Sequence, residues 1–234
     1  MRNYVTSQSL RRFVSDSDWN HFYNNADDLN FVAVTSLTRE GFDLLLKTFK
    51  KHYRLNSGCQ GGRPNRLGYH HQVLGLVVVF YCDTIGSKNL CQMFATPPAT
   101  LSRTLLKAEE ALQLALQEEK NARIVWPSLS QQRQWGEKVS SKNSLIKGRW
   151  GFIDGKNYRV QTPSEEDKQN AYYNGWLHCV YVTGCICFGV DGCIAWYRHN
   201  CPGSWNDGET SRQFQQKLCN DDINLPGHGV LSDS

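Results

Sequence analysis

No stretch of this chain is apolar for long enough to cross a bilayer. The longest, Val73 to Cys82, falls well short of the roughly 20 residues that a spanning helix needs. The N-terminal run from Met1 to Ser9 is polar and offers no secretory signal. Internal repeats and low-complexity tracts are absent. Also missing is the paired knuckle of closely spaced cysteines that closes a structural zinc site; Cys185 and Cys187 are the nearest pair. Nine cysteines is an odd number, and no secretory context favours disulfides. Reduced thiols packed as small apolar groups fit better. These absences predict a soluble intracellular protein with no membrane partner.

What is present is globular. The 234 residues are 40% hydrophobic and 21% charged, enough for one large core or two smaller ones. The net charge of +4 is unevenly spread: +2 over residues 1–60, +6 over 61–150 and −4 over 151–234. A basic middle beside an acidic end fits a DNA-gripping part next to a cation-binding part, although an ordinary solvated surface gives the same numbers.

Residues 1–30 are polar and mixed, with one turn at Asn24 to Asp28. Phe42, Leu45, Leu46 and Phe49 are spaced for one face of a helix that ends near Tyr53. A glycine-rich, basic and exposed linker follows from Asn56 to Arg66. His70 to Cys82 is long enough for a buried helix, though Val77, Val78 and Val79 would also suit a strand. A short helix from Ser87 to Phe94 turns its Leu90, Cys91 and Phe94 inward. Thr96 then caps a long helix from Ala99 to Asn121, with Leu101, Leu105, Ala108, Leu112 and Leu116 on one face. Two helices joined by a tight turn have a helix-turn-helix shape. Thr100, Ser102 and Arg103 on the first turn of the second suit DNA contact. Plain core packing would give the same pattern.

From Trp150 the period changes to that of strands. Gly151 to Asp154 and Tyr158 to Gln161 read as two strands, Trp176 to Phe188 as a third, and Cys193 to Tyr197 as a fourth. Asp207 to Asn220 is helical and His228 to Asp233 is again a strand. Antiparallel strands, a helix and a strand returning beside the first make the opening of a ribonuclease-H-like fold. The predicted class is α+β, in three parts. Residues 1–60 carry one amphipathic helix, 61–148 form a basic helix-turn-helix-like region, and 149–234 form the first part of a ribonuclease-H-like domain.

In that order Asp154 and Asp233, each following a short apolar run, end on neighbouring strands. Carboxylates on a rigid frame suit Mg²⁺ or Mn²⁺, which demand several hard oxygen ligands. Asp207 closes the turn Pro202-Gly203-Ser204-Trp205-Asn206-Asp207 as an accessory ligand or a helix cap, and Lys156 sits within reach of a phosphate or simply on the surface.

Several segments together resemble the DDE-type PIF/Harbinger transposases and their domesticated nuclease relatives. They are Gly151-Phe152-Ile153-Asp154-Gly155, Pro163, the run from Tyr173 to His178, the run from Cys201 to Asp207, and Leu231-Ser232-Asp233. Upstream, Gly62-Arg63-Pro64, the helical region 70–120 and Ile124 to Ser128 are similar to the segment preceding that catalytic domain. The resemblance spans about residues 40–234. It implies cleavage and strand transfer of double-stranded DNA by a two-ion site, in the nucleus, with Asp154 and Asp233 as catalytic aspartates and metal ligands. A separate DNA-binding partner protein is compatible with it. The family's third acid, a glutamate on a later helix, has no counterpart before Ser234; Glu165, Glu166 and Glu209 are the available substitutes. The resemblance therefore predicts a nuclease domain that lacks robust cleavage as this chain stands, or else a DNA-binding module without catalysis.

Overall fold

A computed structural model describes residues 10, 13–56, 65–82 and 85–232, which divide into two compact units, 1–123 and 124–234. The sequence places boundaries after 60 and 148 instead. The helix from 129 to 142 belongs with the sheet that follows it.

In the first unit, side-chain caps start the helices. Ser17 accepts from the Asn20 amide, Asp27 from Asn30 and Thr38 from Gly41, opening α1 (Asp18–Asn25), α2 (Asp28–Thr35) and α3 (Arg39–His52). Lys50, Lys51 and His52 end α3, where cations oppose the helix dipole. α1 and the start of α2 fall within residues 1–30, where the polar sequence suggests only a turn. Helices of eight residues are marginal alone, and these are held by burying Trp19 and Phe31 completely. The Arg39 guanidinium donates to the carbonyls of Tyr23 and Ala26 and lies 4.5 Å from the centre of the Phe31 ring, tying α3 to the end of α1.

Helix α4 (His70–Cys82) resolves the helix-or-strand ambiguity of the valine run. Every residue from Gln72 to Val79 is buried, as for a helix surrounded by others. Helices α5 (Ser87–Met93) and α6 (Pro98–Glu118) follow. Thr96 does not cap α6. Its buried hydroxyl donates to the Phe94 carbonyl, and Pro97 takes the cap position with Pro98 as first helical residue. The buried stripe of α6 runs Leu101, Leu105, Ala108, Ala111 and Ala115, while Leu116 is exposed. A true 3.6-residue turn drifts off the predicted Leu112–Leu116 line by the fourth turn. The glycine-rich linker lies, from Ser57 to Pro64, outside the described residues.

In the second unit, Ser128 and Gln131 form a capping box for α7 (Leu129–Lys142). Strand β1 (Arg149–Arg159) leads to α8 (Glu166–Tyr172), the two-residue β2 (Tyr173–Asn174), β3 (Cys179–Gly189), β4 (Ile194–Pro202), α9 (Asp207–Leu218) and β5 (Gly229–Leu231). The sheet runs β4-β3-β1-β5, antiparallel except that β5 lies parallel to β1, and β2 pairs with the start of β3. β1 is one strand, not two. Gly155, Lys156 and Asn157 stay in the ladder because β3 pairs with every position from Gly151 to Arg159. Trp176, predicted to begin a strand, lies in the turn before β3, and α8 fills a stretch to which the sequence pattern assigns no element.

The core of this unit is rich in tryptophan. Trp150, Cys187, Ala195 and Phe214 are buried, with Trp126, Trp135, Ile153 and Trp196 packed against them. Buried indoles need acceptors. Trp150 Nε1 donates to Asn224 Oδ1 and Trp126 Nε1 to the Ile223 carbonyl. The buried Gln132 donates to the carbonyls of Pro127 and Ile223 and accepts from the Leu225 amide, fastening the segment before β5 to α7.

Two outcomes test the first unit. A Cβ on Gly75 would lie 2.0 Å from Trp19 Cζ2, so Gly75→Ala should cost about 1–3 kcal/mol in chemical denaturation. At an open helical site the same change is stabilising. His71 stacks on Tyr23 with centroids 4.1 Å apart, and its buried Nδ1 has no partner among the described residues. Burial, helped by Lys50, lowers its pKa to about 4. Between pH ~6.5 and ~4 the unfolded chain takes up a proton that the folded chain refuses. Stability from this group is complete above that window and lost as pH falls through it. His71→Phe should flatten the acid limb of a stability–pH curve.

Candidate functional site

Alternation along β1 sorts the predicted site residues onto two faces. Ile153 packs into the tryptophan-rich core, and Cβ atoms on Gly151 and Gly155 would approach Cys187 Sγ and Asp207 Oδ1. The odd positions therefore face α9. Phe152, Asp154, Lys156 and Tyr158 take the opposite, open face, and all four are exposed. Ile186 of β3 lies directly across from Asp154, with Tyr197 of β4 across from Ile186.

Asp207 sits elsewhere. Asn206 is the cap of α9, accepting from the Glu209 amide at 2.8 Å, and Asp207 is the first helical residue, where a carboxylate suits the dipole. Its Oδ1 would be 3.4 Å from a Cβ placed on Gly155. Asp207 thus lies on the helix side of β1 and Asp154 on the open side. The structure does not join them as ligands of one ion, because residues one apart in a strand point oppositely.

Of the three substitute glutamates, Glu165 pairs with Lys168 and Glu209 with Arg212 on α9, while Glu166 is the exposed first residue of α8. Asp233 lies outside the described residues. The last pairing before it sets Leu231 against Phe152. Among the described residues no three histidine, cysteine, aspartate or glutamate side chains converge on a point that could hold a metal ion. Of the two aspartates expected as catalytic ligands of Mg²⁺ or Mn²⁺, the described residues include Asp154, exposed on the open face.

The cysteines beneath the sheet are unreactive. Cys185 donates to the Thr210 carbonyl, and burial, with Cys201 and Asp207 nearby, pushes its thiol up to about 11. Burial pushes Cys187 to about 12. Both stay protonated and behave as apolar groups.

In the first unit, the second turn of α6 presents Ser102 and Arg103 to solvent, with Thr100 on the first turn half-buried. Ser102 Oγ donates to the Pro98 carbonyl and Arg103 Nε to the Ala99 carbonyl. Both side chains are folded back on their own helix and would have to swing out to meet a phosphate.

A set of residues that sequence pattern does not mark fixes the loops around β3 and β4. Asn174 accepts from the amides of Trp176 and Leu177 and donates to the Gly203 carbonyl, while Ser204 Oγ donates to the Ala171 carbonyl. Gly203 has no room for a Cβ, which would sit 2.4 Å from the Tyr181 carbonyl oxygen. Arg198 donates from β4 to the carbonyls of Glu209 and Thr210 and covers the Trp205 ring. The Pro-Gly-Ser turn and the Asn-Gly turn are thereby one interlocked structure. Of these features the sequence marks only the turn from Pro202 to Asp207.

Comparison with protein-family models, curated proteins and solved structures returned no match.

The strand register has a direct check. A Cβ on Gly184 would lie 2.4 Å from the Arg198 carbonyl oxygen, whereas one on Gly155 meets only the Asp207 carboxylate at ordinary contact distance. Gly184→Ala should cost about 1–3 kcal/mol and Gly155→Ala should stay within about 1 kcal/mol of the parent. Equal costs in thermal or chemical unfolding would refute this β1-β3-β4 arrangement.

Proposed function

We propose that residues 124–234 form a ribonuclease-H-like domain of the DDE-nuclease type, in a chain that binds duplex DNA and does not cleave it robustly by itself. One observation carries the reading: after three antiparallel strands and α9, β5 returns parallel beside β1, the strand that bears Asp154. The ordered motif series from Asp154 to Asp233 supports the same descent. In this reading Asp154 and Asp233 are the hard-oxygen ligands of Mg²⁺ or Mn²⁺, ions that polarise phosphoryl oxygens and activate water. The described residues supply only Asp154, so no cleavage step is assigned. A DNA substrate places the protein in the nucleus, with room for a separate DNA-binding partner protein.

A second reading, a DNA-binding module without catalysis, is favoured by the +6 charge of residues 61–150 and by the exposed Arg103 near the start of α6. One set of measurements addresses both. Purified chain with supercoiled plasmid and Mg²⁺ or Mn²⁺ should leave the plasmid intact. Duplex retention at low salt should weaken as salt rises, weaken with Arg103→Ala and ignore Asp154→Ala. Nicking that Asp154→Ala abolishes would overturn the claim of no cleavage. No retention at low salt would overturn the DNA reading altogether.

A further inference from the structure

We propose that the open face of the β1-β3-β4 sheet is a self-association surface whose occupant is the same face of a second copy of this chain. On that face Phe152, Tyr158, Phe188, Ile194 and Tyr197 are each between 36% and 49% exposed. His199 extends the patch by stacking on Tyr197, with centroids 5.3 Å apart. A sheet ordinarily buries an apolar face against another layer. What covers this one is indicated by the two charges among the rings. Asp154 and Lys156 stand two positions apart on β1, roughly 7 Å along the strand, and neither side chain has an ion pair or hydrogen-bond partner among the described residues.

A purely apolar surface and a polyanion each leave a charge uncompensated. A wholly apolar partner would desolvate both groups without pairing either. A polyanion such as nucleic acid would meet Lys156 favourably and Asp154 unfavourably. A copy of the same face satisfies both. A two-fold axis lying between the sheets and crossing β1 at Gly155 reverses the strand direction. It sets Asp154 against Lys156 of the second copy, and Lys156 against its Asp154. The rings then meet across the roughly 10 Å spacing of packed sheets.

This inference goes beyond the nuclease reading and requires neither DNA nor metal. It does have a consequence for that reading. In the associated state Asp154 is covered, so self-association and any chemistry at Asp154 exclude one another.

Sedimentation velocity of the full chain across a concentration series, without DNA or divalent metal, tests it. A reversible monomer–dimer equilibrium is expected. Asp154→Lys and Lys156→Asp should each raise the dimer dissociation constant roughly tenfold or more. The double variant carrying both changes should recover the parent's association. Mixing the two single variants should yield a dimer that neither forms alone, which also shows that both are folded. A chain that stays monomeric throughout, single variants that associate like the parent, or a double variant that fails to recover would each overturn the proposal. Because the readout is mass alone, its failure is separable from a failure to bind DNA.

Discussion

The register of β1 against β3 is the constraint on which the second unit depends. Nine consecutive pairs, Gly151 with Gly189 through Arg159 with Tyr181, assign each residue of the central strand to one face. A slip of one position would send Ile153 to solvent and Asp154 into the tryptophan-rich core. Glycine fixes the register where backbones crowd. Gly151 passes under the Phe188 carbonyl, Gly184 under that of Arg198, and Gly189 against the Trp135 ring. No residue with a Cβ fits at those points, so the alternatives to this pairing are sterically expensive. The chemistry available on each face is a consequence of that steric choice.

Much of the architecture was legible in the sequence for reasons that are local. Phe42, Leu45, Leu46 and Phe49 announce α3 by their spacing, and all four are buried. The length of His70 to Cys82 outweighed its valines, and it is a helix. The change of period at Trp150 marked the sheet, and a short strand follows α9 as the pattern required. α1, α2 and α8 were not legible: α1 and α8 are short and mostly polar, and the apolar residues of α2, Leu29, Phe31, Val32, Ala33 and Val34, are not spaced for one helical face. Their formation rests on tertiary contacts such as the burial of Trp19, which no window of sequence displays.

The candidate site was legible only in part, for a different reason. Placing Asp154 on a central strand needs only local pattern. Placing Asp207 relative to it needs to know which face α9 crosses, and that is set by Phe214, Cys185 and Arg198 acting across the sheet. Two acids that looked like partners in sequence are separated by the thickness of a strand. The thiols illustrate the same point, since burial and mutual proximity, not spacing, make Cys185 and Cys187 inert.

The residues that carry the family resemblance prove to be mostly engaged in holding the fold. Asn174, Gly203, Ser204 and Asn206 are bound to one another's loops or to the start of α9, and each has a structural partner that accounts for its identity. Residues of this kind speak to how a framework is held and not to its chemistry, because an inactive domain would need them equally. Asp154, and Lys156 just beyond those motifs, differ: no side-chain contact among the described residues accounts for either, and both stand on a face with apolar neighbours. Solvated charges with no structural duty amid exposed rings are what an interface or a reactive site leaves visible when its counterpart is absent. The functional question for this chain therefore narrows to one face of one strand.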